Sequence, residues 1–501
     1  MRRTATTVLV ACSTTLLPAL SPPPAAAQEP VDTAMIARIR AEGLERSRVL
    51  ETYGTLTDVI GPRLTGSPAF RRAAEWARDR LAEWGLENAR LEPFEFGRGW
   101  TLEKLTLEMT APRYFPLIGY PEAWTPSTRG VIEGTPVYVG DLSAAEIRAL
   151  GERLRGAIVL AQPPQPAFIT ADRPQPADAG EPVRIGAPRS IRSEGPVPLR
   201  ELMPLLQQAG AAAVLRPNQG AHGTVFVLGR RDTPDDTVPS IILAPEHYNM
   251  LVRLLAAGEP VALRVELRTR YHEEETNAYN VLAEIPGTDP GLRHEVVMIG
   301  AHLDSWHAST GATDNADGSA AALEAMRILK AVGARPRRTI RVALWGGEEQ
   351  GLLGSRAYVQ EHLAGEDDAR AREAFSVYFN DDPGTGATYG FYAEESAEAK
   401  AILDAWLAPL RDLGVKRNVI QGIGATDHLA FTRVGLPGFT TIKDYRDYDV
   451  RTHHTNADFY ERVSEADLKQ SAIVLAVFAW HAAMRDGRFP RPASRASGPR
   501  P

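Results

Sequence analysis

Apolar runs in the second half of the chain are short, and polar clusters follow them. Val296 to Ile299 is continuous, β-branched and bounded by Gly300, which is typical of a buried strand. Ser319 to Val332 comes next and is rich in Ala, Leu and Met, which favours a helix. Further strand-like runs are Thr339 to Trp345, Ala374 to Phe379 and Gly438 to Ile442. Strands that alternate with helices predict an α/β domain.

The first part of the chain fits the outer part of the same α/β layer. Thr33 to Leu50 and Ala69 to Trp84 have helical spacing, and Leu91 to Phe96 is strand-like. From Ser127 to Leu267 the pattern changes to short β-like runs separated by loops, with proline clusters between Pro163 and Pro198. This middle region predicts an inserted domain, and the alternative is a continuation of one large domain.

The two termini differ in composition from the regions between them. Arg2-Arg3, an apolar stretch and Ala25 to Ala27 are typical of a secretory signal peptide with its cleavage site. Cys12, the only cysteine, follows small and apolar residues, so a lipoprotein signal is the alternative. The predicted division is a signal peptide at 1–27, a catalytic domain at 28–126 and 268–487, the inserted domain at 127–267 and a disordered tail at 488–501.

Composition and charge limit the classes of protein that the chain can represent. The 501 residues are 44% hydrophobic and 24% charged, a globular composition that suits two or three domains. The formal net charge is -7 and no basic block stands out, so neither nucleic acid nor an anionic membrane is an expected partner. After the signal, no segment has the ~18 apolar residues of a membrane span. We expect a secreted or periplasmic protein.

Residues that can bind a metal follow four of the predicted strands. His302 and Asp304 follow the first strand, two residues apart, so the carboxylate can orient the imidazole. Asp314 follows in a glycine-rich turn. The other strands lead to Glu348-Glu349, Asp381-Asp382 and His453-His454. Because open α/β sheets keep their sites at the carboxyl ends of strands, this pattern predicts one shared metal site.

The residue types favour a particular metal chemistry. Nitrogen and oxygen ligands without a thiolate suit zinc, with cobalt or manganese as alternatives. Two histidines and three carboxylates exceed the three protein ligands of an open zinc site. They suit two ions ~3.5–4 Å apart that share one carboxylate. Three carboxylates and a hydroxide balance the charge of two dications, which limits the cost of desolvation in a cleft.

Four motifs, in this order along the chain, resemble the co-catalytic zinc exopeptidases, a family that includes secreted bacterial aminopeptidases. They are His302-Leu303-Asp304-Ser305-Trp306, Gly311-Ala312-Thr313-Asp314, Leu344 to Gly351 and His454 to Asp458. The chain resembles in particular the plasma glutamate carboxypeptidase (carboxypeptidase Q) branch, as Gly61 to Ser67 also does. The resemblance implies a mixed, mostly parallel sheet flanked by helices, with a β-rich protease-associated domain in the middle region.

The same resemblance implies a role for each residue of the motifs. The metal ligands of the family correspond to His302, Asp314, Asp382, Glu349 and His454. Asp314 would bridge two zinc ions, and Asp304 would orient the ligand His302. Glu348 would be the general base that takes a proton from water and passes it to the leaving amine.

Some assignments stay open at this stage. Asp381 competes with Asp382 and His453 with His454, and the family spacing favours Asp382 and His454. In addition, Asp427 and His428 match a family segment near the substrate, so we predict substrate contacts there, with a structural role as the alternative. Finally, His307 stands where the branch has an acid, so local substrate contacts can differ.

The sequence therefore predicts a di-zinc metallo-exopeptidase that acts on peptides as an aminopeptidase or dipeptidase. The first alternative is a carboxypeptidase of the same fold. A glutaminyl cyclase shares the fold but binds one zinc, and a receptor-like binding protein would have lost catalysis. The complete set of ligands and the general base argue against both of these. A homodimer is compatible with the sequence.

Overall fold

A computed structural model describes residues 29–178 and 194–492 of the chain. Its main sheet has the spatial order Glu87–Glu95, Asn277–Ile285, Thr339–Trp345, Val296–His302, Phe375–Asn380, Gly438–Lys443 and Thr388–Phe391. The four strands from Thr339–Trp345 to Gly438–Lys443 are parallel, and the outer pairings are antiparallel. The predicted α/β fold is confirmed. The predicted signal peptide, including Cys12, lies outside the described residues.

Two long helices, Asp317–Ala331 and Glu465–Met484, pack against each other and against the central strands. Most residues of both helices are buried, and the first helix buries Glu324 and Arg327 as an ion pair at 2.8 Å. The other helices of this domain are Thr33–Glu45, Val49–Gly54, Pro68–Glu83, Leu353–His362, Ala369–Ala374, Ala397–Leu407 and His428–Thr432. Shorter 3-10 and π turns are Thr55–Ile60, Ala312–Ala316, Glu366–Asp368, Ala408–Leu413, Tyr448–Thr452 and Tyr460–Arg462.

The described residues between 99 and 272 form a second module with two sheets. One sheet is antiparallel, in the order Phe115–Pro116, Gly99–Ala111, Ala262–His272 and Ile132–Gly134. The other has the order Gly119–Pro121, Ser240–Leu243, Ala213–Pro217, Ile158–Leu160 and Val137–Tyr138. Its helical segments are Ala144–Ala149, Gly151–Leu154, Leu199–Gln208 and Pro245–Ala256.

The boundaries of the second module differ from the predicted insertion at 127–267. Strand Gly99–Ala111 pairs along its length with Ala262–His272, so these two strands belong to one unit. The sequence pattern also indicates only strands and loops in this region, whereas the structure adds helices. At the other end of the chain, Phe489 is buried against Phe379 and Trp406, so the described chain continues in packed structure beyond the predicted tail boundary. Among the described residues, no helix has the length and apolar character needed to cross a membrane.

Candidate metal centre

The predicted ligands meet at the carboxyl edge of the parallel strands. His302 is the last residue of its strand and lies opposite Trp345, so Glu348 and Glu349 follow on the neighbouring strand. Asp382 follows the strand on the other side, Phe375–Asn380. Because neighbouring parallel strands end at the same edge, residues far apart in sequence come together there.

One part of the cluster consists of His302, Asp314 and Asp382, which are all buried. Nε2 of His302 lies 3.1 Å from Oδ1 of Asp314 and 3.8 Å from Oδ1 of Asp382. The backbone N–H groups of Thr313 and Asp314 donate to the carboxylate of Asp458, at 2.8 and 3.2 Å, and so fix the turn that carries Asp314. These three side chains offer one nitrogen and two oxygen ligands to a single point.

The other part of the cluster forms around His454. Its Nε2 lies 2.8 Å from Oε2 of Glu349 and 3.3 Å from Oδ2 of Asp314. Burial lowers the pKa of His454, but the carboxylates of Glu349 and Asp314 raise it to about 9. The two oxygens of Asp314 therefore face different histidines, which is the arrangement that a bridging carboxylate needs.

Some carboxylate oxygens of the cluster lack hydrogen bonds from the part of the chain that the structure describes, which indicates whether a cation fits there. Oδ2 of Asp314 and Oε1 of Glu349 are buried, and neither has a hydrogen-bond partner within the described residues. Burial raises the pKa of Glu349 to about 7, and the charge of Asp314 adds to the shift. Buried acids with unsatisfied oxygens are costly unless a cation neutralises them. The donor set of imidazole and carboxylate therefore fits a metal cofactor.

Asp304 connects the two halves of the site. Nδ1 of His302 lies 3.0 Å from the backbone oxygen of Asp304 and 3.5 Å from its Oδ1. The same carboxylate accepts hydrogen bonds from the backbone N–H groups of Glu348 and Glu349, both at 3.3 Å, and from the hydroxyl of Thr65 at 2.9 Å. Asp304 therefore orients the imidazole and the turn with the two glutamates together.

Glu348 and Glu349 point to different partners. Oε2 of Glu349 accepts a hydrogen bond from the indole of Trp306 at 2.7 Å and contacts His454. Glu348 is buried, and like Glu349 it lies outside the three groups of potential metal ligands among the described residues, so the contact of Glu349 with His454 is what distinguishes the two. Burial raises the pKa of Glu348 well above the usual range, and the nearby Asp382 adds to this shift. A buried acid with such a pKa has the character of a general acid/base.

The neighbouring candidates in the two pairs differ in their contacts. Asp381 accepts a hydrogen bond from Thr441 at 2.8 Å and lies 3.6 Å from Nζ of Lys443, so its carboxylate is held apart from His302. In the second pair, the ring of His453 stacks on Tyr448 at 4.8 Å, whereas Nε2 of His454 contacts Glu349 at 2.8 Å. His453 nevertheless offers a ring nitrogen within 4.8 Å of ligand atoms of Asp314 and His454, so the preference for His454 stays a prediction that its contact with Glu349 supports.

The predicted substrate residues are enclosed in the fold. Asp427 and His428 are both fully buried. Asp427 accepts a hydrogen bond from Ser355, and burial raises its pKa to about 7. Nε2 of His428 lies 3.2 Å from Oε1 of Glu394. Nδ1 of His428 and Oδ2 of Asp427 are buried and have no hydrogen-bond partner among the described residues, so substrate contact by this pair stays a prediction. His307 is also buried, and its Nε2 lies 2.8 Å from the backbone oxygen of Pro121 in the second module.

The motif Gly61 to Ser67 supplies supporting contacts that sequence reasoning did not assign. The guanidinium of Arg63 is fully buried and donates to the backbone oxygens of Leu56, Gly61, Leu303, Thr310 and Gly311. Arg63 therefore ties together both ends of the loop that links His302 to Asp314. Thr65 accepts from the N–H of Gly347 at 3.0 Å while it donates to Asp304.

The second module also holds the loop that carries His454. The N–H of Val227 donates to the oxygen of His454 at 3.1 Å, and Phe226 forms an antiparallel bridge with Thr455. His454 has a φ of 60°, a left-handed conformation that is unfavourable for a residue with a side chain. These contacts from the second module therefore stabilise a strained ligand position.

A buried ion pair provides a further link between the two units. Arg173 of the second module donates to both oxygens of Asp449 at 2.6 and 2.8 Å, and its guanidinium lies 5.4 Å from the ring of Tyr448. Tyr448 in turn stacks on His453, beside His454. The second module thus supports the metal loop through side chains as well as backbone.

We predict that Arg173→Ala lowers the free energy of unfolding by about 3–5 kcal/mol at neutral pH, because it leaves Asp449 buried without its cation. Burial raises the pKa of Asp449, but Arg173 brings it below the usual value. Since this folded-state pKa is depressed, the stabilisation is present above the unfolded pKa of ~3.9 and is lost as the pH falls through the folded value.

Denaturant unfolding of both proteins at neutral and acid pH checks this prediction. The difference in unfolding free energy should shrink as the pH falls below ~4. Arg155→Ala is the control, because Arg155 forms an exposed pair with Glu152 in the same module and should change little. If the difference in unfolding free energy between wild type and Arg173→Ala were the same at both pH values, the stabilisation would not come from the Arg173–Asp449 ion pair.

Taken together, the fold and the cluster define a metal-dependent hydrolase. Residues 280–479 match the model of peptidase family M28. The chain is 26% identical over 458 residues to carboxypeptidase Q of Bos taurus, an alignment that covers 91% of this chain and 89% of that protein. It is 43% identical over 182 residues to an aminopeptidase of Pseudomonas aeruginosa (strain UCBPP-PA14), which covers 35% and 30% of the two chains.

Solved structures of peptidases have the same fold as this chain. A peptidase M28 precursor from Shewanella amazonensis SB2B superimposes with a TM-score of 0.67 at 24% identity and covers 92% of this chain and 99% of its own. BSAP, a zinc aminopeptidase from Bacillus subtilis, has a TM-score of 0.56 at 18% identity, with 87% and 94% covered. The family match over residues 280–479 and the relatives aligned over 91% of the chain support a metallo-exopeptidase. The resemblance of the motifs to this peptidase family is confirmed, whereas the protease-associated nature of the middle region stays a prediction.

Proposed function

We propose that this chain hydrolyses peptide bonds at chain ends with two zinc ions. The observation that carries the proposal is the position of Asp314, whose two oxygens face His302 and His454 separately, at 3.1 and 3.3 Å. Asp382 completes one site and Glu349 the other. When bound, two zinc ions would polarise the scissile carbonyl and lower the pKa of the attacking water.

In this proposal Glu348 is the general base and Asp304 is a positioning residue. Glu348 takes a proton from water as the water oxygen attacks the carbonyl carbon. It then returns a proton to the leaving nitrogen as the C–N bond breaks. Support comes from its burial, which raises its pKa, and from the hydrogen bond of its backbone to Asp304 at 3.3 Å.

The reaction we favour is that of an aminopeptidase or dipeptidase, with a carboxypeptidase as the alternative. Relatives with both kinds of name support this range. We further propose secretion, on the basis of the N-terminal sequence, and a protease-associated role for the middle region. The pairing of Gly99–Ala111 with Ala262–His272 leads us to propose 99–272 as the limits of that region.

Elemental analysis and a peptide panel test the proposed function. The purified full-length protein should contain about two zinc ions per chain, and a strong chelator should abolish hydrolysis of unblocked peptides. Added zinc should restore the activity. An active preparation without metal would overturn the proposal, and a stoichiometry near one would favour a single-zinc chemistry like that of the cyclases.

A further inference from the structure

Trp306 is a buried side chain that donates its indole hydrogen bond to a proposed metal ligand. It is 6% exposed, and its Nε1–H donates to Oε2 of Glu349 at 2.7 Å. An indole has one N–H donor and no acceptor, so it cannot bind a metal ion itself. A hydrogen bond to an ionised carboxylate is stronger than one between neutral groups. Trp306 therefore holds Glu349 without taking a ligand position in the cluster.

Two neighbouring tryptophans use their indole groups differently. Trp100 donates to the backbone oxygen of Thr125 at 2.9 Å, and Trp124 donates to the backbone oxygen of Arg98 at 3.1 Å. Both acceptors lie outside the metal cluster, so these bonds satisfy buried donors and serve packing. Trp306 belongs to the same group of aromatic side chains, but its acceptor is a carboxylate of the cluster.

The two oxygens of Glu349 have different surroundings. Oε2 accepts the indole hydrogen bond and lies 2.8 Å from Nε2 of His454. Oε1 is buried and has no hydrogen-bond partner within the described part of the chain. The last torsion of a glutamate is broad, so a carboxylate with a free oxygen turns unless another contact holds it. The indole of Trp306 supplies this contact on the side of His454.

Trp306 contacts both side chains that are proposed to complete one of the two metal sites. In addition to its bond to Glu349, its ring centre lies 6.2 Å from that of His454, at an interplanar angle of 71°. This is an edge-to-face arrangement, which is favourable for aromatic rings. Among the described residues, the hydrogen bonds and ring contacts of Trp306 do not include His302 or Asp382. An effect of Trp306 on metal binding should therefore fall on one site.

Contacts with the second module fix the orientation of Trp306. The ring of Trp124 packs edge-to-face against it, with ring centres 6.4 Å apart at 89°. The next residue, His307, has its Nε2 at 2.8 Å from the backbone oxygen of Pro121. Because both the indole and the following residue are held, the indole has little freedom to leave its acceptor. The second module thus reaches the proposed metal centre through Trp306.

We propose that Trp306 is a positioning residue that holds the carboxylate of Glu349 toward His454 and so sets the affinity of one of the two metal sites. The inference rests on the proposed function and adds a route by which the second module influences the metal. The site of His302 and Asp382 should be independent of Trp306. This difference between the two sites is what a general effect on packing would not produce.

Trp306→Phe tests the proposal, because phenylalanine keeps an aromatic ring but has no N–H. The full-length protein carries it in two backgrounds that should each keep a single site. Asp382→Asn should retain the site of His454, and Glu349→Gln the site of His302. In the first background, Trp306→Phe should lower the affinity for zinc by about 10–100-fold, as expected when a metal ligand loses an outer partner. In the second background, the affinity should not change, because the partner of Trp306 is already altered.

Trp480→Phe is the matched control, since Trp480 is also buried and donates to a carboxylate, Oδ2 of Asp32, at 3.2 Å. Asp32 caps the helix Thr33–Glu45 and is not a proposed metal ligand. Trp480→Phe should therefore leave zinc affinity unchanged in both backgrounds. Equilibrium dialysis against graded free zinc, followed by elemental analysis, gives the affinities. Denaturant unfolding of each variant separates a loss of stability from a loss of metal affinity.

The role of Trp306 and the proposed function can fail separately. If wild type binds no zinc, the proposed function fails. If wild type binds two ions and Trp306→Phe leaves the zinc affinity of the Asp382→Asn protein unchanged, the role of Trp306 is wrong while the proposed function stands. If Trp306→Phe weakens zinc binding equally in both backgrounds, or no more than Trp480→Phe does, Trp306 acts through packing and its assignment to Glu349 is overturned.

Discussion

Glu348→Gln should lower turnover by about 10²–10⁴-fold or more, because one residue is proposed to serve both proton transfers. Glutamine keeps the size and hydrogen bonding of the side chain but cannot take a proton. The hydrogen bond to Asp304 comes from the backbone of Glu348, so the substitution leaves it intact. Zinc content and folding should therefore stay close to wild type. Steady-state kinetics and elemental analysis on the same preparation measure both quantities.

Glu349→Gln is the matched comparison, since it makes the same chemical change one residue later. Glu349 contacts His454 at 2.8 Å and has an unsatisfied buried oxygen, so its loss should weaken one of the two metal sites. Part of its activity should return when zinc is added, whereas Glu348→Gln should not respond. Normal turnover in Glu348→Gln, or loss of zinc from Glu348→Gln alone, would show that the two roles are reversed.

The core of the site could be predicted because its geometry follows from the main sheet. His302 ends a parallel strand, Glu349 and Asp382 come shortly after two others, and neighbouring parallel strands end at one edge. The preference for Asp382 over Asp381 depends instead on the spacing that the family resemblance implies. The short apolar runs therefore predict which strand ends converge, and the resemblance is needed to choose between neighbouring residues.

The supporting contacts could not be predicted, because they join segments that are distant in sequence. Arg63 donates hydrogen bonds to the backbone oxygens of Leu303 and Gly311. The residues next to Arg63 in the sequence give no sign of these distant partners. An arginine in a loop is usually exposed, so its burial depends on the tertiary structure.

The helices of the second module could not be predicted from the sequence pattern. Helix Leu199–Gln208 contains Pro204, and helix Pro245–Ala256 begins at a proline directly after a strand. Proline is a strong signal of a loop in sequence, although the first turn of a helix tolerates it well. The pattern therefore indicates strands and loops where the structure has helices.

Asp314→Asn should weaken the binding of both zinc ions, because Asp314 faces both histidines with a separate oxygen for each. Asparagine keeps one oxygen but removes the negative charge that the proposed pair of ions shares. The loss of affinity should exceed the 10–100-fold change that follows removal of an outer partner of a metal ligand. Equilibrium dialysis against graded free zinc, followed by elemental analysis, measures the affinity of each site.

The bridging role of Asp314 is tested by comparing Asp314→Asn with variants of residues that are proposed to bind a single ion. Asp382→Asn should affect the site of His302, and Glu349→Gln the site of His454, so each variant should keep about one ion at a zinc concentration that saturates the remaining site. Asp381→Asn is the control, because Asp381 lies beside Lys443 and Thr441, and it should keep both ions. If Asp314→Asn loses a single ion, as the one-site variants do, Asp314 belongs to one metal and the bridging role is wrong.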